Sequence, residues 1–334
     1  MDAPFALPPR LDVACLPTRI RPLDRLSAQW GGPRLWIKHD DDTGGLLSGN
    51  KIRKLQYAVR QALDQGADTL VTCGGIQSNH CRATAALARQ LGLRVLLVLR
   101  GEPPGVATGN LLLDQVLGAQ IHWVTAEQYR DNQAVMESLA EQERRAGHRP
   151  FVVAEGCSMP PGCWGYIEAA IEIAEAERAL GVRFDAIVHA VGSGGTSAGL
   201  ELGRRLLRLH AMIYGVNVCD DAAYFRDRIA ALAVATAQQY ALPVDVPPEE
   251  IELIDGYVGE GYGRSRPDEL RQLLDLARLE GVVLDPVYTG KAMFALGREW
   301  GHPRFSSAKH VLFLHTGGIY GLLAHEAALA TALR

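Results

Sequence analysis

The chain has 334 residues, enough for two domains or one large one, and 48% of them are hydrophobic, so a sizeable aliphatic core is available. A net charge of -4 argues against a protein that works by neutralising the phosphates of a nucleic acid, so the expected partner is a small molecule. No apolar run approaches the length of a membrane-spanning helix.

Met1 to Arg10 shows no charged-then-apolar order and is expected to form an extended arm, not a secretory signal. Leu35-Trp36-Ile37-Lys38 predicts a short strand, followed by an acidic loop from His39 to Thr43. Ser48-Gly49-Asn50-Lys51 predicts a sharp turn, because Gly49 and Asn50 both tolerate positive φ. The turn delivers Lys51 to the start of an amphipathic helix that ends near Gly66. Thr69 to Cys73 reads as a buried strand closed by Gly74-Gly75, and Ser78-Asn79-His80 opens a helix from Cys81 to Leu91. Next come a strand over Val95 to Leu99, a helix over Asn110 to Leu117 and a strand over Gln120 to Val124. A charged helix is expected from about Ala126 to Ala146, then a strand over Phe151 to Val153. The Gly-, Cys- and Pro-rich loop Gly156 to Gly165 reads as a seam, with a long helix from Tyr166 to Leu180 behind it. Ala186 to Val191 is a strand, Gly192 to Thr196 a turn, Ser197 to Leu209 a helix and Met212 to Val216 a strand. Later, Gly261-Tyr262-Gly263 reads as an exposed loop and Leu284 to Lys291 as a turn before a helix. Leu312 to Gly318 reads as a buried strand that ends in a glycine turn. Strands and helices alternating at this spacing imply an α/β fold with parallel sheets flanked by helices.

The six cysteines, Cys15, Cys73, Cys81, Cys157, Cys163 and Cys219, form no C-x-x-C pair and show no zinc spacing with histidines. They are expected to be reduced, mostly buried thiols in a cytoplasmic protein.

Lys51 sits near a helix N-terminus, close to a second cation such as Lys54 or Arg53, in a field that disfavours its protonation. A lysine of lowered pKa is what a Schiff base needs. By itself, such a lysine more often just solvates a helix start. The turn Gly192-Ser193-Gly194-Gly195-Thr196 brings backbone N–H groups toward an anion at a helix N-terminus and reads as a phosphate cradle. It is not a P-loop, and Ser197 stands where a dinucleotide fingerprint has its last glycine. Asp220 follows at a distance that keeps a ribose-binding reading open. The loop Gly74 to His80 can hold a carboxylate through its N–H groups and the Ser78 hydroxyl, although Ser78 can equally be a helix cap. His80 has no acid partner nearby in sequence, so no Ser-His-Asp triad is expected. One lysine, one phosphate cradle, one carboxylate loop and hydroxyls for a ring nitrogen together suit pyridoxal phosphate. A nicotinamide-dependent dehydrogenase needs no such lysine, and a non-catalytic small-ligand binding protein needs no such set.

Five stretches in this order carry a resemblance over about residues 12–325. They are Ser48 to Leu55, Gly74 to Ala85, Gly192 to Thr196, Leu284 to Ala292 and His315 to Gly318. The chain resembles the D-cysteine desulfhydrase and 1-aminocyclopropane-1-carboxylate (ACC) deaminase family of fold-type II pyridoxal-phosphate enzymes. Trp164 to Ala169 and Cys219-Asp220-Asp221 look most like the plant-type desulfhydrase branch. The resemblance implies a tryptophan synthase β-like fold of two α/β domains with the cofactor in the cleft, and a homodimer. The large domain would take residues 1–52 and 163–334, with a small domain of residues 53–162 inserted.

By the same resemblance, Lys51 matches the lysine that carries the cofactor and Asn79 the partner of the pyridine 3-hydroxyl. Gly192, Ser193, Gly194, Gly195 and Thr196 match the phosphate loop, with Lys54 as its helper. Ser78 matches the serine near substrate, and Tyr262 and Tyr288 match two active-site tyrosines. Gln77, Ser78, Asn79, His80 and Thr289 are expected on the substrate side. His80 matches the desulfhydrase branch, where ACC deaminases commonly have glutamine. The loop Ala154 to Met159 departs from the family pattern, and Glu155 and Met159 are expected to line the substrate side. Thr289 and Thr316 stand where ACC deaminases carry glutamate and leucine, with Thr316 favoured as the partner of the ring nitrogen. The implied reaction is β-elimination on D-cysteine or a close sulfur-substituted D-alanine, giving pyruvate, ammonia and sulfide. The alternatives are ACC ring opening and lyase action on another β-substituted alanine. No metal is expected.

Overall fold

Two sheets organise residues 5–334, the part of the chain that the computed structural model describes; the first four residues of the expected arm lie outside it. In chain order the elements are β1 (Ile20–Pro22), α1 (Asp24–Trp30), β2 (Arg34–His39), α2 (Asn50–Asp64), β3 (Thr69–Gly75), α3 (Asn79–Gln90) and β4 (Arg94–Arg100). Then come α4 (Gly109–Val116), β5 (Gln120–Val124), α5 (Asn132–Arg145), β6 (Pro150–Val152), α6 (Pro160–Leu180), β7 (Ala186–Val191) and α7 (Gly195–Leu207). The chain continues with β8 (Met212–Asn217), α8 (Ala222–Tyr240), β9 (Glu252–Ile254), α9 (Pro267–Glu280), α10 (Thr289–Glu299) and β10 (His310–His315).

One sheet has the order β1-β2-β10-β7-β8-β9, and the other β5-β4-β3-β6. Every pairing is parallel except β1 with β2. Strands such as Ala186–Val191 are buried at every position, as a parallel sheet covered on both faces requires. The expected α/β architecture is the one observed. Among the described residues, no helix is long and apolar enough to cross a membrane.

Two helices start where the pattern reading did not place them. α6 begins at Pro160, six residues before the expected Tyr166, with proline in its first turn. The stretch read as a seam is therefore largely helix. Its glycines serve close packing: a Cβ on Gly165 would lie 2.5 Å from the Arg53 carbonyl carbon of α2. α5 begins at Asn132, because the Asp131 carboxylate accepts from the Ala134 N–H at 3.2 Å and caps it there.

A buried charge cluster fixes α2 against α6. Arg53 donates to Glu172 Oε1 at 2.8 Å and to Asp40 Oδ1 at 2.9 Å, and Lys38 also pairs with Glu172. The Tyr166 hydroxyl donates to Asp40 Oδ2 at 2.7 Å. Removing one member of such a pair leaves a buried charge unanswered, typically at a cost of about 3–5 kcal/mol. Arg53 thus points away from Lys51, and the cation that acts on Lys51 is Lys54.

Candidate active site

The C-terminal ends of strands from both sheets meet at a cleft of about 490 Å³, within the ~300–1,000 Å³ usual for small-molecule sites. Gly75 of β3, Arg100 of β4, Val191 of β7 and Thr316 after β10 all line it. Ligands of open parallel sheets bind at that end.

Three turns are bonded to one another there. The Asn50 N–H donates to Thr316 O at 3.0 Å, and Asn50 Nδ2 donates to Thr196 Oγ1 at 3.1 Å. Gly49 has φ +107, and a Cβ on it would lie 3.0 Å from Thr316 O. Glycine is needed here for both conformation and approach. The lysine turn, the glycine turn and the end of β10 are therefore one construction.

Lys51 lines the cleft, and its amine is held well below the usual lysine range, first by burial and then by Lys54. Lys54 is wholly buried, and its Nζ has no hydrogen-bond partner. It lies 3.0 Å from where a Cβ on Gly195 would stand. A buried cation beside a glycine turn at a helix N-terminus calls for an anion. The dianionic phosphate of pyridoxal phosphate meets that requirement, so the residues fit the cofactor. Gly192, Ser193, Gly194 and Thr196 line the cleft, whereas the Gly195 N–H is already taken by Ser158 Oγ at 3.1 Å.

Gly194 adopts φ +86, and a Cβ there would meet Ile229 Cγ1 at 3.3 Å. A side chain at this position faces α8 and strains the turn by about 1–2 kcal/mol. Gly194→Ala is expected to weaken pyridoxal-phosphate affinity about tenfold in a fluorescence titration. Gly181, at φ +66 with open space around it, is the control. Gly181→Ala should lower stability and leave cofactor affinity at the parent value; an equal loss of affinity in both variants would contradict the cradle.

Ser78 caps α3, its Oγ accepting from the Cys81 N–H at 3.1 Å. Its hydroxyl proton is left to donate, so the cap and carboxylate readings are compatible. The orientation of Asn79 is set by a chain of bonds. Arg82 Nε donates to Asn110 Oδ1 at 3.2 Å, so Asn110 presents Nδ2, which donates to Asn79 Oδ1 at 2.9 Å. Asn79 is left with its Nδ2 as donor toward the cleft that it lines. Gln77, expected on the substrate side, is not brought to the cleft. Its amide donates to Thr108 O at 3.0 Å and accepts from the Asn110 N–H at 2.9 Å.

His80 lines the cleft and is held well below its usual range by burial and by Lys51 and Lys54. Thr72 Oγ1 gives its proton to Val153 O at 2.8 Å, so the 2.8 Å contact to His80 Nε2 must be donated by the imidazole. His80 therefore carries a proton on Nε2, and its Nδ1 has no hydrogen-bond partner.

The Tyr262 and Tyr288 hydroxyls bond to each other, with their rings edge-on at 5.8 Å. Burial pushes Tyr262 up to about 12 and Tyr288 well above the usual phenol. Tyr262 also reaches the other sheet, 3.5 Å from where a Cβ on Gly75 would stand, so its loop is part of the wall and not an exposed one. Thr316 lines the cleft. Thr289 does not, because its hydroxyl donates to Asp285 Oδ1 at 2.6 Å and accepts from the Asp285 N–H at 2.9 Å. Asp285 also accepts the N–H groups of Val287, Tyr288 and Thr289, which aims Tyr288. Glu155 lines the cleft as expected, but Met159 packs into the core beside the smaller sheet.

Pattern reading singled out neither Arg100 nor Tyr129, both of which line the cleft. Each is an ordinary residue in its own segment, and only the small sheet's topology brings them beside Glu155.

The chain matches the model of the family described as pyridoxal-phosphate dependent enzyme over residues 11–317. It is 43% identical over 302 residues to the mitochondrial bifunctional D-cysteine desulfhydrase/1-aminocyclopropane-1-carboxylate deaminase of Arabidopsis thaliana, covering 87% of this chain and 74% of that protein. It is 40% identical over 325 residues to the D-cysteine desulfhydrase of Salmonella newport, covering 95% and 96%. It is also 40% identical over 319 residues to a putative 1-aminocyclopropane-1-carboxylate deaminase of Thermotoga maritima, covering 95% and 98%. A crystal structure of an ACC deaminase homologue superposes with a TM-score of 0.89 at 35% identity, covering 97% of this chain and 96% of that one.

Proposed function

Since the chain belongs to the pyridoxal-phosphate-dependent enzymes, in the branch of the D-cysteine desulfhydrases and ACC deaminases, we propose that its cleft eliminates sulfide from D-cysteine or a close sulfur-substituted D-alanine. The products are pyruvate, ammonia and sulfide. The observation that carries the substrate reading is the neutral Thr316 hydroxyl in the cleft wall, with Thr289 engaged elsewhere. A hydroxyl bonds a ring nitrogen without supplying charge. A carboxylate there would deepen the electron sink, as opening the ACC ring requires, since ACC has no Cα hydrogen to lose.

Bound pyridoxal phosphate supplies the electron sink for bond breaking at Cα. In this reading Lys51 carries it covalently, Lys54 and the turn Gly192 to Thr196 hold its phosphate, and Asn79 and Thr316 hold its ring. Ser78 and the first N–H groups of α3 bind the substrate carboxylate. Lys51, neutral in its buried field, takes the Cα proton. The Tyr262–Tyr288 pair protonates the departing sulfur. The division into residues 53–162 and the remainder belongs to this reading, supported by the two separate sheets. A homodimer rests on the family resemblance, and a cytoplasmic setting on the free, mostly buried cysteines.

A substrate panel tests the proposal. D-cysteine should yield pyruvate and sulfide, L-cysteine far less, and ACC no comparable 2-oxobutyrate. Comparable rates on ACC and D-cysteine would overturn the reading of Thr316 and leave the deaminase named for the Thermotoga relative.

A further inference from the structure

Arg100, the last residue of β4, stands in the cleft wall between two aromatic rings. Its guanidinium carbon is 5.1 Å from the Tyr129 ring centre and 5.6 Å from that of Tyr262. The two faces hold the group in place. Among the described residues its side chain has no hydrogen bond and no ion pair. Glu155 lies on the same wall, with Oε1 accepting from the Tyr129 hydroxyl at 2.6 Å. The neighbouring Gly156 is close to the reacting lysine, since a Cβ there would be 3.6 Å from Lys51 Nζ. Tyr129 thus carries a cation over its ring and an anion on its hydroxyl, and the two charges do not pair with each other.

A split pair of this kind matches a zwitterionic amino-acid head. A carboxylate can take two parallel N–H donors from Arg100, and an ammonium can donate to the free oxygen of Glu155. The position along the cleft assigns that head to the leaving group. Arg100 flanks Tyr262, one of the tyrosines placed at the departing sulfur, whereas the substrate's own carboxylate belongs at Ser78. Building on the function proposed above, we infer that the cleft takes S-substituted D-cysteines whose thiol carries a second amino-acid head, a thioether of the lanthionine kind. Lys51 takes the Cα proton, and the Cβ–S bond breaks with its electron pair on sulfur. The tyrosine pair supplies the sulfur's proton, and one water replaces the nitrogen. meso-Lanthionine would give pyruvate, ammonia and cysteine.

The test uses the holoenzyme and meso-2,6-diaminopimelate, in which a methylene replaces the sulfur so that nothing can be eliminated. Calorimetry should show it binding at least about tenfold more tightly than D-norleucine, which has one head. Arg100→Gln and Glu155→Gln should each remove most of that preference, and Arg100→Lys should keep part of it. In turnover, kcat/KM for meso-lanthionine should exceed that for S-ethyl-D-cysteine by a similar factor. Equal affinity for the two analogues, or a preference that survives both substitutions, overturns the inference. D-cysteine turnover, measured alongside, judges the underlying function separately, because the binding ratio is read without catalysis.

Discussion

Lys51→Ala is expected to abolish turnover of D-cysteine while the protein stays folded. The Lys51 side chain has no hydrogen bond or ion pair among the described residues, so its loss removes no structural tie. The start of α2 is held instead by Asn50, by Thr43, which accepts from the Gly49 N–H at 2.8 Å, and by the buried Arg53 cluster. A single nitrogen is assigned both the covalent hold on the cofactor and the transfer of the Cα proton. General-base removal alone commonly costs about 10²–10⁴ in rate, so the combined loss should reach at least the upper end. The lowered pKa gives this amine its chemistry, with burial as the first cause and Lys54 the second. Two other lysines are committed elsewhere. Lys38 pairs with Glu172, and Lys291 donates to Val258 O at 2.6 Å and Gly261 O at 2.8 Å. Borohydride reduction of the holoenzyme, followed by peptide mapping, should place the label on Lys51. A label on Lys54 or Lys291, or an unchanged rate in Lys51→Ala, would overturn the assignment.

The parts of this site that could be read from sequence are those whose partners are local. A Gly-Asn turn ahead of Lys51, a glycine turn between β7 and α7, and a serine opening α3 each announce their geometry within a few residues. Two helix starts were also announced: Pro160-Pro161 is a first-turn signal and Asp131 a capping one, and hydrophobic period alone overlooked both. The rest depended on contacts made across the fold. Gln77 was expected at substrate, but its partners lie more than thirty residues away, at Thr108 and Asn110. The resemblance favours Thr316 over Thr289, but the physical difference between the two does not lie in the order of residues. The difference is that Asp285 uses both hydrogen-bonding faces of the Thr289 hydroxyl. Arg53 and Lys54 are adjacent cations, yet helical rotation sends one into an ion cluster and leaves the other unpartnered beside the glycine turn. Arg100, Tyr129 and Glu155 come from three separate segments.

Tyr288→Phe should lower kcat on D-cysteine by about 10²–10⁴, the usual worth of a positioned proton donor. Negative charge builds on the sulfur as the Cβ–S bond breaks, and the Tyr262–Tyr288 hydroxyl pair is the donor assigned to it. Burial comes first in holding both phenols up, Tyr262 at about 12 and Tyr288 well above its usual value. Both therefore keep their protons at working pH, and the pair can deliver a proton but cannot act as a standing base. Tyr288 is also rigidly aimed. Its N–H donates to Asp285 Oδ2 at 2.9 Å, and a Cβ on Gly192 would lie 2.9 Å from its ring. Phenylalanine keeps that packing and removes only the hydroxyl. β-Chloro-D-alanine separates the two roles, because chloride departs without a proton. The variant should therefore lose far less on β-chloro-D-alanine than on D-cysteine, with the difference in kcat and not in KM. Equal losses on the two substrates would show that Tyr288 shapes the cleft without feeding a proton to the leaving group.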